Sequence, residues 1–288
     1  MDRAGQAAQP EKFGTHLLLR SISAMAATQP PRSPSSPKEL EPAPPWGVGL
    51  ALTALVYFLM AQFMLGVLFF LIYWVVFEPG QPFETAFQHA AASGRFMGLA
   101  NGLIYLFILL TVIAGLRLWV HKPLGPALRL VPPVRIPLWA TPLLALGLGV
   151  ALDAVTMALG RPVIPETLVP LFQGRDPLGW VSMGFLTVVI GPPTEELLFR
   201  GLLYPALAVR VGPMFSIYLV SLIFALFHLL TYGGTADQWF WIAQAFLVGL
   251  ALTGLRARTR SLWPPIVMHM TLNLYATIEA ILLLNFRA

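Results

Sequence analysis

Seven apolar segments follow one another along the chain, at residues 47–77, 97–119, 137–159, 179–209, 214–232, 238–256 and 262–285. Each meets the roughly 20 residues that a helix rising 1.5 Å per residue needs to cross a bilayer. Hydrophobic residues make up 57% of the chain and charged residues only 11%, against about a quarter in a soluble domain. The expected fold is therefore all-α, a polytopic transmembrane bundle of about seven spans in the cell membrane. A disordered tail precedes it, because Ala26 to Trp46 holds seven prolines among Ser, Lys and Glu and cannot bury enough apolar surface to offset its ordering entropy. Three regions are expected: the tail at 1–46, amino-terminal membrane helices at 47–160, and a core at 161–288.

Charge sets the orientation. The net charge of +5 does not point to nucleic acid, since no patch of basic and aromatic residues of the required kind is present. Lysines and arginines instead gather in alternate connections, fourteen on the side of the amino terminus against four on the other. That places the amino terminus in the cytoplasm and the carboxyl terminus outside. Trp46, Trp119, Trp139, Trp180, Trp239 and Trp263 fall near span ends, as an interfacial belt does. With no cysteine in the chain, disulfides and thiolate chemistry are excluded.

Within the core, Gly191 to Leu203 reads GPPTEELLFRGLL, placing Glu195, Glu196 and Arg200 inside an apolar span. Each such charge costs roughly 2.5–3.5 kcal/mol at the bilayer centre and needs a partner, water or a task. Glu196 and Arg200, four residues apart, share one helix face and can pair. Glu195 is rotated away and needs another neighbour, for which a histidine on a different helix would serve. Pro192 and Pro193 interrupt the span and put both carboxylates near a new helix start. Two further polar islands supply partners. Phe224 and His228 share a face of the fifth span, and His269 and Asn273 repeat that spacing in the seventh. Asn273 and His269 carry the donors needed to hold a developing oxyanion.

Each of these has a plainer reading. The Glu196–Arg200 pair also suits a structural pin, and single membrane histidines commonly make helix–helix hydrogen bonds. Asp153 reads as a helix-end residue or a pin. Thr194 and Thr271 read as helix-start and interhelical hydrogen-bonding residues. Depth raises a difficulty: measured from the cytoplasmic span ends, His228 lies about 20 Å deep and His269 about 10 Å. They meet only if boundaries shift or helices tilt.

The ordered set Glu195-Glu196-x-x-x-Arg200, Phe224-x-x-x-His228 and His269-x-x-x-Asn273 resembles the CPBP intramembrane proteases, which include type II CAAX prenyl endopeptidases and Abi-like bacteriocin-processing or immunity proteins. The resemblance covers roughly 185–275 and implies an intramembrane endopeptidase whose site opens toward the cytosol. By motif position, Glu195 with His228 would activate water, His269 and Asn273 would stabilise the oxyanion, and Glu196 and Arg200 would order the site or engage substrate. Phe224 would line the substrate pocket. The substrate would be a peptide or protein, such as a prenylated CAAX tail, a leader peptide or a membrane-protein stub. Glu195, His228 and His269 also supply an oxygen and two nitrogen ligands for a divalent metal such as zinc, as in a metalloprotease, although the compact His-Glu-x-x-His arrangement is absent. The alternative is a non-catalytic membrane protein, either an immunity or scaffold factor or a transporter with an inward polar relay.

Overall fold

Apolar runs of this length fold as the backbone chemistry of lipid requires. In the computed structural model, which describes residues 42–286, six helices are long and apolar enough to cross a membrane. No strand occurs among the described residues. The chain runs through α1 (Val48–Phe77), the short α2 (Phe83–Ala92), α3 (Gly94–Trp119) and α4 (Ala140–Ala158). After a broken span come α8 (Pro213–Phe227), α9 (Gln238–Thr259) and α10 (Trp263–Asn285). The expected tail lies outside the described residues for 1–41. Its last residue, Trp46, is buried and donates its indole N–H to the Leu202 carbonyl at 3.1 Å.

The segment expected at 179–209 is the broken span. It consists of α5 (Pro177–Gly184), a widened π-turn stretch (Phe185–Ile190), α6 (Gly191–Glu196), a second π stretch (Leu197–Leu203) and α7 (Tyr204–Val211). Each wide stretch runs up to a proline. Pro192, Pro193 and Pro205 have no N–H to donate to the preceding turn, so the ladder slips to a longer spacing there. The slip re-aims the short α6 between two wide turns without ending the span.

Glycines let the helices touch backbone to backbone, the packing that membranes favour where burying apolar surface gives no advantage. A Cβ on Gly98 would sit 2.3 Å from the Ser182 carbonyl carbon, and one on Gly94 would sit 2.3 Å from the Leu171 oxygen, so α3 lies directly against α5 and the turn before it. Arg95 adds a two-toothed clamp on Asp176 at 2.7–2.9 Å, and its guanidinium holds that carboxyl below the usual carboxylate range. Gly249 of α9 makes room for Ser221 and the Phe224 ring of α8, and Gly149 of α4 makes room for the Tyr275 ring of α10.

The connection between α9 and α10 removes the difficulty of depth. Arg256, Thr259, Ser261 and Leu262 are all buried rather than surface-exposed. Val134 N–H bonds the Thr259 carbonyl, Leu262 N–H bonds the Arg129 carbonyl, and the Ser261 hydroxyl bonds the Val131 carbonyl. A Cβ on Gly201 would meet the Leu262 side chain at 3.3 Å, so α10 begins level with residue 201 and not with the end of α7. The eight residues of α7 and the start of α8 extend about 12 Å past that level. Of the three arginines at 256–260, Arg256 is fully buried, with its guanidinium 5.7 Å from the Tyr204 ring.

The glycine contact is testable. Gly98→Ala should lower the unfolding midpoint by an amount matching about 1–3 kcal/mol, because the neighbouring atoms are backbone and cannot move aside. Gly115→Ala, on the same helix but with nothing within 4 Å of the new Cβ, should leave it unchanged. Thermal or denaturant unfolding in detergent measures both.

Candidate active site

Three helices bring the polar islands together: α6 with the π stretch after it, α8, and α10. Glu196 and Arg200 are fully buried and paired at 2.8 Å. Arg200 is further held by its Nε donating to the Thr253 hydroxyl at 3.1 Å and by Nη2 donating to the Gly249 carbonyl at 3.3 Å. Its guanidinium carbon lies 4.3 Å from the centre of the Phe224 ring, at cation–π distance. The opposite face of this arrangement is closed by His269, whose Nδ1 lies 2.9 Å from the same Glu196 oxygen, Oε1. The other oxygen, Oε2, has no partner.

Glu195 stands apart, as its rotation on the helix requires. Its side chain is 19% exposed where that of Glu196 is 0%, and it lines a cavity of about 360 Å³. The partner expected for it was a histidine on another helix, and the geometry differs. His269 Nε2 is 3.9 Å from Glu195 Oε2, too far for a hydrogen bond. The Tyr105 hydroxyl of α3 donates to Oε1 at 3.3 Å instead. Tyr105 carries no motif and lies 90 residues away in sequence. Its one sequence signal is a phenol in the middle of an apolar helix.

His228 also lines the cavity. Its Nδ1 is 2.9 Å from the Phe224 carbonyl, and because a carbonyl only accepts, Nδ1 carries the proton. In the neutral ring the other nitrogen then presents a lone pair. Asn273 is a third cavity residue, donating one amide hydrogen to the Thr187 carbonyl at 2.7 Å, inside the first π stretch. That nitrogen keeps a second hydrogen to donate.

Glu195, His228, Asn273 and Phe224 therefore share one chamber. Glu196, Arg200 and His269 form the buried support behind it. His269 is expected beside Asn273 as an oxyanion donor, but it is not among the cavity-lining residues, and both its nitrogens are directed at carboxylates. Among the described residues no three His, Asp or Glu side chains gather so as to hold a metal ion, and Glu195, His228 and His269 do not converge on one point.

The chamber also bears on orientation. Ala91, Met97, Thr167, Leu168, Leu230 and Thr231 line it toward the bundle end that carries the connections at 78–93, 159–176 and 233–237. This is the end that the lysine and arginine count assigns to the outside. The expectation of a cytoplasmic amino terminus and that of a site opening toward the cytosol thus point to opposite ends of the bundle.

A family model described as type II CAAX prenyl endopeptidase Rce1-like matches residues 177–275, the broken span through the middle of α10. Neither a curated protein nor a solved structure matches the chain.

Removing Arg200 should be costly. Arg200→Met leaves Glu196 as an uncompensated buried charge and should destabilise the protein by about 3–5 kcal/mol. Adding Glu196→Leu should recover much of that loss, which denaturant unfolding of the two variants would measure.

Proposed function

Taking residues 177–275 as the core of a CPBP-family intramembrane protease, we propose that the chain hydrolyses a peptide bond of a membrane-associated peptide or protein inside the chamber. The observation that carries this reading is that the Glu195 carboxylate, the His228 imidazole and the Asn273 amide line one cavity within the bundle. Water held between Glu195 and His228 attacks the carbonyl carbon as Glu195 takes its proton. The carbonyl oxygen becomes the oxyanion, and the second Asn273 N–H is the donor that receives it. The tetrahedral intermediate collapses with transfer of the proton from Glu195 to the amine nitrogen, breaking the C–N bond and releasing a carboxylic acid and an amine. Tyr105 steadies the Glu195 carboxylate throughout, while Glu196, Arg200 and His269 hold α6 and α10 in register behind it. Phe224 supplies apolar wall on the chamber side and covers Arg200 on the other.

Glu195→Gln keeps size and a hydrogen-bonding group while removing the base. It should reduce cleavage by at least about 10²-fold with the protein still folded and inserted. Comparing protein carboxyl termini in cells carrying wild-type and Glu195→Gln chains measures this, and unchanged termini would remove the hydrolytic reading.

In this reading the charge count is kept, so that substrate enters from outside and not, as the resemblance implies, from the cytosol. The chain's lack of cysteine makes a single Thr235→Cys a clean probe of that end. A membrane-impermeant maleimide should label it in intact cells. Labelling only after the membrane is opened would place the mouth in the cytosol and the amino terminus outside.

A further inference from the structure

Two polar atoms in the chamber wall have no partner, and neither belongs to the stretch that the family model matches. Gln62 Oε1 on α1 and Thr167 Oγ1 in the turn Glu166–Leu168 are buried and unsatisfied, and both residues line the cavity. A buried acceptor left without a donor costs about 1–3 kcal/mol, so such atoms are normally paired by something that enters. The only titratable residues on the lining are Tyr105, Glu195 and His228, and no lysine or arginine is among them.

The position of Gln62 is informative. Phe58, one turn earlier on the same face of α1, packs edge-on against Tyr105 with ring centres 5.3 Å apart, and Tyr105 donates to Glu195. Phe58 thus marks the level of the reacting carboxylate. Gln62 lies four residues nearer the mouth, about 6 Å along the helix axis. An extended peptide advances about 3.3 Å per residue, so 6 Å corresponds to two residues. A helical substrate would offer nothing to Gln62 Oε1, because its N–H groups are already bonded within the helix.

We propose that Gln62 accepts a backbone N–H from substrate about two residues from the scissile bond, with Thr167 bonding the same strand nearer the mouth, so that the chamber binds its peptide extended. The proposal rests on the hydrolytic reading for the location of the scissile bond. It assigns substrate recognition to α1 and to the turn before α5.

The test uses the full chain with Glu195→Gln in detergent, immobilised to capture peptides from a randomised twelve-residue library. The best-captured peptide is then remade with each backbone amide N-methylated in turn. Methylation at one amide should weaken binding five- to tenfold. In the Glu195→Gln, Gln62→Leu protein that same methylation should have no effect, a result that a merely structural role for Gln62 would not produce. Gln62→Leu removes no hydrogen bond from Oε1, so its melting temperature should match that of the parent, which separates lost binding from lost folding. With the wild-type chain, cleavage of the unmodified peptide should fall one to three residues from the sensitive amide. Failure to capture any peptide, or an identical methylation profile in both proteins, overturns the proposal. A Gln62-dependent profile without cleavage by the wild-type chain would leave the binding strip standing and remove the hydrolytic reading.

Discussion

A guanidinium sealed from water must have its charge and its donors met by the protein, and Arg200 is where this fold meets them. Its partners come from three elements: Glu196 one turn before it, Gly249 and Thr253 on α9, and the Phe224 ring on α8. His269 then ties α10 to the same carboxylate oxygen. Arg200 and Glu196 would each carry a desolvation penalty of several kcal/mol alone, so they are tolerable only together. The constraint fixes the mutual height and rotation of the helices around the chamber. Glu195, the next residue along, is thereby turned into the cavity.

That division explains why two adjacent glutamates fare so differently. Successive residues on a helix point about 100° apart, so when one is locked into the bundle the other faces elsewhere. One carboxylate has no exposure and shares an oxygen between arginine and histidine. The other keeps partial exposure and a single long hydrogen bond from Tyr105. Reactive capacity belongs to the second and rigidity to the first.

Much of this was legible in the sequence because the signals were local. Apolar length marks the spans, Pro192 and Pro193 mark the break, and the four-residue spacings of Glu196 with Arg200 and of Phe224 with His228 put partners on common faces. What escaped were relations between distant segments. Nothing near Ser261 and Leu262 announces that the connection there sinks below the end of α7, since it does so by bonding to carbonyls of Arg129 and Val131. The burial of His269 behind the carboxylates is of the same kind, because it depends on that sunken turn. Tyr105 and Gln62 are isolated from any motif within apolar helices, and only the packing of α1 on α3 gives them a site to face.

The glycine seam between α3 and α5 has a mechanical consequence. Where two backbones meet with no side chain between them, there is nothing compressible to yield, and the Arg95–Asp176 clamp pins the same joint at its end. That wall of the chamber behaves as a fixed post. Across from it, α1 and α8 meet through the rings of Phe58 and Phe227, 6.1 Å apart, and side chains of that kind can swing aside. Any widening of the chamber is therefore taken up at this aromatic contact and not at the glycine seam.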